Sequence, residues 1–147
     1  NDKYSGIATW HKSLAKEVLA TGKITNVSGR QYAFPNTQRR AGGKVTNFTM
    51  IKNYPVQGLA TADIVPVVVM ELEERLRPLQ SCLVNTVHDS AVVDVHPNEK
   101  EYVLQIIRNL NEDLDKIIHE AYGIELCVPM LLEAKIGNNW LDTKDVV

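Results

Sequence analysis

The spacing of apolar residues predicts three helices along the chain. The first is Asp2–Ala20, where apolar side chains recur at helical spacing. The second, Leu59–Leu76, is apolar on most sides and is therefore expected to be buried, with a kink or break at Pro66. The third is the clearest, because Asn98 and Glu101 resemble a capping box at its start and Gly123 is a typical helix end.

Short apolar runs rich in β-branched residues predict strands. Two of them flank the polar residues His88, Asp89 and Ser90, so we expect a hairpin with the His-Asp pair at or near its tip. Helices and strands in this order predict an α+β fold, in which a small antiparallel sheet packs against helices. The length predicts a single domain spanning residues 1–147. The four predicted strands are Lys23–Val27, Leu83–Val87, Ala91–Val95 and Val128–Ile136.

Charge is divided unevenly along the chain, although the formal net charge is only −2. Asn1–Gln57 carries 9 Lys and Arg against 2 Asp and Glu, whereas Gly58–Val147 carries 7 against 16. The most loop-like stretch, Asn36–Lys44, has three basic residues and is expected to be exposed and mobile. Such a basic segment favours an anionic partner, but two differently charged solvated faces explain the same distribution.

The cysteines and the apolar runs bear on the compartment. Cys82 and Cys127 lie in apolar sequence without zinc-ligand spacing, which predicts buried, reduced thiols in a cytoplasmic protein. The longest uninterrupted apolar runs, Ile64–Met70 and Leu126–Leu132, are shorter than a membrane span, and no secretory signal is visible. We therefore expect no membrane association.

The His88–Asp89 pair is the sharpest candidate for chemistry. Ionisable side chains within an apolar hairpin are costly unless they are satisfied or used. The carboxylate of Asp89 suits Mg²⁺, which takes one or two protein carboxylates and leaves its other positions to water and phosphate. A turn aspartate beside a surface histidine fits the same residues.

A second candidate lies between Lys52 and Gly58. The amides of Asn53 and Gln57 suit hydrogen bonding to base edges or sugar oxygens, and equally suit capping of a helix start. Basic residues interleaved with aromatic rings suit phosphate neutralisation and base stacking, and also suit a solvated loop. These residues are Arg30, Arg39, Arg40, Lys44 and Lys52, with Tyr32, Phe34 and Phe48 between them.

Four motifs, in this order and spacing, resemble the C-terminal palm region of family A DNA polymerases, the DNA polymerase I type. Their wording is closest to that of a bacteriophage enzyme. The resemblance runs from about Tyr4 to Asp145 and implies an incomplete palm with a preceding helix and a basic loop at about 36–52. The motifs are Ser28-Gly-Arg-Gln-Tyr-Ala-Phe-Pro35, Tyr54-Pro-Val-Gln-Gly-Leu-Ala-Thr-Ala-Asp-Ile64, Val87-His-Asp89 and Ile136-Gly-Asn-Asn-Trp-Leu141.

The resemblance implies catalytic roles for the His-Asp pair. Asp89 matches the second metal-binding carboxylate of a two-Mg²⁺ site, and His88 matches the neighbour that lies near the primer terminus. Ser90 stands where many relatives carry Glu, so a supporting carboxylate is absent.

The resemblance also implies contacts with DNA. Gln57 and Asn53 match amides that contact the DNA around the terminal base pair, and Arg30 matches a Gly-Arg turn of the family. Thr49 stands where relatives often place an arginine that reaches the template, and Lys52 would partly replace it.

The family's first metal carboxylate and its nucleotide-gripping helix belong upstream of Tyr4. The Mg²⁺ site therefore needs residues outside this chain, and we expect residues 1–147 alone to be inactive. The expected partners are primer–template DNA, a deoxynucleoside triphosphate and an N-terminal polymerase portion with the remaining palm and fingers. An unpaired sheet edge also predicts self-association. The expected location is the cytoplasm, that of the host if a phage encodes the chain. The alternative is a non-catalytic, polymerase-like module that binds nucleic acid or protein.

Overall fold

The computed structural model describes residues 4–147 and begins with helix α1, Ser5–Thr21. Leu14, Ala15 and Val18 form its buried face. The helix ends at Gly22, whose left-handed φ of 74° lets its N–H donate to the Val18 carbonyl at 2.8 Å. The predicted opening helix is therefore confirmed, although its expected start at Asp2 lies outside the described residues.

A small antiparallel hairpin follows α1. Strands β1 (Lys23–Thr25) and β2 (Gln31–Ala33) pair with Ile24 opposite Tyr32. The predicted strand to Val27 is too long, because Asn26 begins the turn: its N–H donates to the Arg30 carbonyl at 2.7 Å. Buried Ile24 faces the core of this part of the chain, which joins it to Leu14, Val18, Phe34 and Ile51.

Three helical segments then follow without interruption. They are α2 (Phe48–Gln57), a π-helical turn (Gly58–Ile64) and α3 (Val65–Leu76). The predicted helix start at Leu59 is wrong, because the stretch around Pro55 is helical rather than a loop. The chain stays helical through Pro66, which lies in the first turn of α3, so the predicted break there is absent, although the change from π to α geometry falls just before it. An α-helix would need the Pro66 N–H to satisfy the Ala62 carbonyl, and proline has none.

The sequence predicts that this long helix is buried, and that prediction is wrong for much of its surface. Among its α3 residues, Val68 and Leu72 are buried on one face, whereas Met70 is 70% exposed. By length and composition alone, the helix Phe48–Leu76 could cross a membrane. The uninterrupted apolar runs of the sequence did not indicate this, because each of them is shorter than a membrane span. Core helices of soluble proteins meet the same criterion, so this finding carries little weight.

The His-Asp hairpin consists of β3 (Cys82–Val87) and β4 (Ser90–Asp94). Val87 pairs with Ser90, so His88 and Asp89 alone form the turn, and His88 takes a left-handed φ of 55°. A register shift lies between Leu83 and Asn85.

Helix α4 (Lys100–Tyr122) begins after a short 3₁₀ turn, Pro97–Glu99. The predicted capping box of Asn98 and Glu101 is wrong, because the Asn98 N–H is taken by Nδ1 of His96 at 3.4 Å. The predicted end is confirmed: Gly123, at φ 66°, donates its N–H to the His119 carbonyl. The apolar stripe of α4 packs against α3, beside an ion pair of 2.7 Å between Arg75 and Asp113.

The predicted strand Val128–Ile136 is largely absent. Only β5 (Lys135–Ile136) forms, paired with β6 (Lys144–Asp145). The side chain of Asn111 on α4 accepts from the Leu132 N–H at 2.6 Å and donates to its carbonyl at 3.1 Å. This backbone is therefore bonded to a helix side chain instead of a neighbouring strand.

The α+β prediction is confirmed, but the expected single sheet is wrong. The strands form three separate two-stranded sheets in the described part of the chain. The chain divides into two compact units, of which the first ends at Ala62 and the second is Asp63–Val147. The single domain of residues 1–147 stays a prediction.

The cysteine prediction is wrong in its burial. Cys82 and Cys127 are both free thiols, and both are exposed. Their apolar neighbours predicted a covered environment, but five of the six residues of β3 are exposed.

Candidate functional site

The two predicted amides lie in one row on α2. Asn53 and Gln57 are four residues apart and therefore share a helix face, and both are exposed. Ile51 and Pro55 form the buried row that holds α2 on the core. The fold thus leaves both amides open to a ligand, as the sequence predicts.

Gln57 ends α2 beside an open cleft of about 250 Å³, which also has Tyr32, Tyr54, Gly58 and Thr61 in its walls. The Thr61 hydroxyl donates to the Gln57 carbonyl at 2.7 Å. The Tyr32 and Tyr54 rings lie with centroids 5.7 Å apart, so aromatic packing supports the wall. The Gln57 amide therefore projects from a rigid frame.

Gly58 is fixed by a close neighbour. A Cβ at this position would overlap the hydroxyl of Tyr32 and come within 2.7 Å of its ring. This hydroxyl is buried and has no hydrogen-bond partner among residues 4–147. A buried hydroxyl without a partner lowers the stability of a fold, on the order of 1–3 kcal/mol. Tyr32 packs closely on Gly58 despite this cost.

Two further residues of the β1–β2 turn hold the same helix. The Asn26 amide donates to the Pro55 carbonyl at 2.9 Å, and Nη2 of Arg30 donates to the Ala62 carbonyl at 3.1 Å. The second carbonyl is the one that Pro66 leaves without an α-helical donor. Arg30 therefore supports the helix, a role that sequence reasoning missed although Pro66 signals the orphaned carbonyl.

Lys52 is half-buried on the side of α2. Its Nζ lies 4.8 Å from the centre of the Phe48 ring, a cation–π contact within the helix. Sequence reasoning also missed the contacts that Asn26 and Tyr32 make with α2, because these contacts are long-range and leave no local pattern.

The His-Asp turn is exposed and has few contacts. His88 and Asp89 are both exposed, and beside them the Ser90 hydroxyl donates to the Val87 carbonyl at 2.8 Å. Within the part of the chain that the structure describes, the Asp89 carboxylate forms no ion pair or hydrogen bond. The turn holds the carboxylate away from the sheet and leaves its oxygens to solvent.

The donor set for Mg²⁺ is correspondingly small. No group of three or more His, Cys, Asp or Glu residues between positions 4 and 147 lies close enough to hold a metal ion. Asp89 fits one ligand position of a hard cation, and a lone exposed carboxylate binds Mg²⁺ weakly. Residues of this chain thus fit part of a two-metal site.

A second carboxylate, that of Glu99, is hydrogen-bonded to the residues just before β3. Glu99 accepts from the Gln80 N–H at 3.0 Å and from the Ser81 hydroxyl at 2.7 Å. These donors hold the pKa of Glu99 below its ordinary value. The Ser81 hydroxyl accepts in turn from the His96 N–H at 2.9 Å, which joins the start of β3 to the entry of α4.

Known proteins match these features. The family model of DNA polymerase family A matches residues 1–142. DNA polymerase I of Lactococcus lactis subsp. cremoris is 29% identical over 148 residues, which cover 97% of this chain and 16% of that protein. The thermostable DNA polymerase I of Thermus filiformis is 27% identical over 139 residues, which cover 94% of this chain and 16% of that protein.

A solved structure shares the fold. The POL domain of Pol1 from M. smegmatis, in complex with DNA primer-template and dNTP, superposes with a TM-score of 0.64 at 21% identity. The match covers 79% of this chain and 20% of that one. The chain spans about a sixth of the length of the curated relatives that it matches, and its likeness to bacteriophage enzymes stays a prediction. With its family model matched over nearly the whole length, the chain belongs to DNA polymerase family A.

Proposed function

We propose that residues 1–147 are the C-terminal portion of a template-directed DNA polymerase. They contribute one metal-binding carboxylate, Asp89, and the primer–template contacts of Asn53 and Gln57. The observation that carries the proposal is the exposed amide row on α2, in a chain whose family match reaches from this row to the His-Asp turn. The remaining palm and fingers belong to an N-terminal portion, on the same polypeptide or on a separate one.

The chain's own residues divide the work. Asn53 and Gln57 hydrogen-bond to the sugar and base edges near the primer terminus and so align it. Asp89 holds Mg²⁺ together with carboxylates from outside this chain, and His88 lies beside the primer end. The two Mg²⁺ ions, when bound, activate the primer 3′-hydroxyl and stabilise the leaving pyrophosphate of the deoxynucleoside triphosphate.

The exposed apolar residues support the need for the N-terminal portion. Met70 is 70% exposed, Val84 56% and Trp140 76%, and the hairpin of β3 and β4 has no third strand in the described residues. A two-stranded sheet is marginal by itself, and exposed apolar surface favours association. Residues 1–147 therefore bind the N-terminal portion, or self-associate without it. The proposed location is the cytoplasm, where bacterial or phage DNA is copied.

Primer extension by an assembled mixture tests the proposal. Residues 1–147 are mixed with the N-terminal portion of a family A polymerase cut just before the matched region. Mg²⁺-dependent extension is expected from the mixture and from neither part alone. Asp89→Asn should reduce extension at least a hundredfold, because the carboxylate ligand is lost.

Asp94→Asn is the matched control, since Asp94 is an exposed carboxylate on the same hairpin. It should extend primers as the wild type does. Extension that survives Asp89→Asn would remove the catalytic role proposed for that residue.

The second candidate function is a non-catalytic, polymerase-like module that binds nucleic acid or protein. It is favoured by the small donor set, because within residues 4–147 no group of three or more His, Cys, Asp or Glu residues lies close enough to hold a metal ion. Salt-dependent DNA binding without extension in any mixture would select this alternative.

A further inference from the structure

The segment expected to be an exposed loop forms a hydrogen-bonded hairpin, which we name the basic hairpin, residues 38–46. Arg39 pairs with Val45 in an antiparallel bridge, and the Arg40 N–H donates to the Lys44 carbonyl at 2.7 Å. At its base, the Thr46 N–H donates to the Gln38 carbonyl at 3.0 Å and the Gln38 N–H to the Thr46 hydroxyl at 2.8 Å. The backbone of the segment is thus bonded from its base to its tip.

The register of the basic hairpin places two cations opposite each other. Since Arg39 faces Val45, Arg40 faces Lys44 across the narrow end. Like charges in directly opposed positions destabilise a hairpin. The chain can make this arrangement because Gly42 and Gly43, at φ 78° and 79°, close the tip in a tight left-handed turn.

Nothing in the surrounding sequence neutralises the pair. No Asp or Glu occurs between Val18 and Ala62. Arg39, Arg40 and Lys44 are all exposed, and in the described portion of the chain their side chains form no ion pair. Among the described residues, no ion pair therefore compensates the repulsion between Arg40 and Lys44.

Other cations of the same segment are already used by the protein. Arg30 donates to the Ala62 carbonyl, Nζ of Lys23 donates to Oε1 of Gln31 at 3.2 Å, and Lys52 lies over the Phe48 ring. These three cations and the three of the basic hairpin make six. Of the six, only those of the basic hairpin are exposed and lack a hydrogen bond or ring contact of this kind. The structure thus separates cations that support the fold from cations that are available to a ligand.

We propose that the basic hairpin is a binding site for the backbone phosphates of duplex DNA, with Arg40 and Lys44 on one strand's phosphates. This inference rests on the proposed function, which supplies the primer–template, and narrows the basic stretch indicated by the sequence to two opposed cations. An anion between Arg40 and Lys44 relieves their repulsion, and the guanidinium of Arg40 matches phosphate oxygens bidentately. Because the backbone is already ordered, binding does not have to order the loop.

The salt dependence of DNA binding tests the inference. Anisotropy of a fluorescent primer–template duplex is titrated with residues 1–147 across a series of KCl concentrations. Neutralising two phosphate contacts should reduce the slope of log K against log salt by about 1.8, at about 0.9 for each contact. The variant is Arg40→Gln with Lys44→Gln. The matched control is Lys12→Gln with Lys16→Gln, which removes two exposed cations from α1. Because no phosphate contact is lost, its slope should stay within about 0.5 of the wild-type slope.

A charge-conserving exchange completes the design. Arg40→Lys with Lys44→Arg should restore the wild-type slope, whereas a merely structural role would not be rescued. Thermal unfolding of the Gln variant should show a Tm no lower than that of the wild type, because repulsion is removed. Equal slopes for the hairpin and α1 variants, a lowered Tm, or no DNA binding by the wild type would each overturn the inference.

These outcomes are separate from those of the proposed function. Loss of extension in the assembled mixture through Asp89→Asn tests the polymerase role whatever the slope does. An unchanged slope with normal extension would overturn the basic hairpin as a phosphate site and leave the polymerase proposal standing.

Discussion

The amide row on α2 and the His-Asp turn differ in how the chain holds them. Around Gln57, Asn26 and Arg30 bind helix carbonyls and Tyr32 packs on Gly58. Around Asp89, no described residue forms a hydrogen bond or an ion pair with the carboxylate. The chain thus fixes by itself the helix that carries the proposed DNA contacts, whereas the proposed metal site depends on residues outside it. If the site is assembled from two portions of the polymerase, only the amide row on α2 has to be in place before they meet.

The largest effect is expected at Gly58, which tests whether Tyr32 supports the helix that carries the amide row. Gly58→Ala should lower the free energy of unfolding by about 1–3 kcal/mol, because its Cβ meets the Tyr32 hydroxyl. Urea unfolding of residues 1–147 measures the change. Gly6→Ala is the matched control, since a Cβ there meets nothing within 4 Å and should cost no stability. Equal unfolding midpoints for the two variants would mean that Tyr32 does not hold this turn.

A smaller effect is expected at Arg30. Arg30→Gln removes the donor to the Ala62 carbonyl and should cost about 1 kcal/mol of unfolding free energy. Arg39→Gln removes the same charge from the basic hairpin and should change stability by less than about 0.5 kcal/mol. If both substitutions cost the same, the helix contact of Arg30 contributes nothing beyond its charge.

The smallest effect concerns Glu99, the satisfied counterpart of Asp89. Its pKa is lowered by the Gln80 N–H and the Ser81 hydroxyl, so its ionised form stabilises the fold. This contribution is present above the ordinary pKa of a glutamate and is lost as the pH falls through the lowered value. Wild type should therefore melt above Glu99→Gln at neutral pH, and the gap should close in acid. Asp89→Asn, whose carboxylate has no such partner in the described residues, should leave the Tm at neutral pH unchanged.

Local pattern was sufficient where an element makes its own contacts. Helix α4 carries a continuous apolar stripe and ends at Gly123, so its extent follows from spacing. The hairpin of β3 and β4 follows likewise from two β-branched runs separated by a short polar segment. Val87 pairs with Ser90, so only two residues remain for the turn, and Asp89 is one of them.

Long-range contacts decided the rest. Pro55 reads as a loop residue, yet it is buried within α2, and Asn26 binds its carbonyl. Leu132 reads as part of a strand, yet Asn111 takes both of its backbone groups. In each case a distant side chain satisfied a backbone that local propensity assigned otherwise, and no spacing rule contains that information.

DNA binding by residues 1–147 alone tests the central claim most directly. The dissociation constant for a labelled primer–template is measured for Asn53→Ala with Gln57→Ala, for Asp89→Asn, and for a control that truncates the exposed amides Asn98 and Gln105. The account predicts binding about tenfold weaker for the α2 pair, since two hydrogen bonds are worth about 1–3 kcal/mol, and no weakening for the other two variants. Binding that Asp89→Asn weakens as much as the α2 pair would contradict the account.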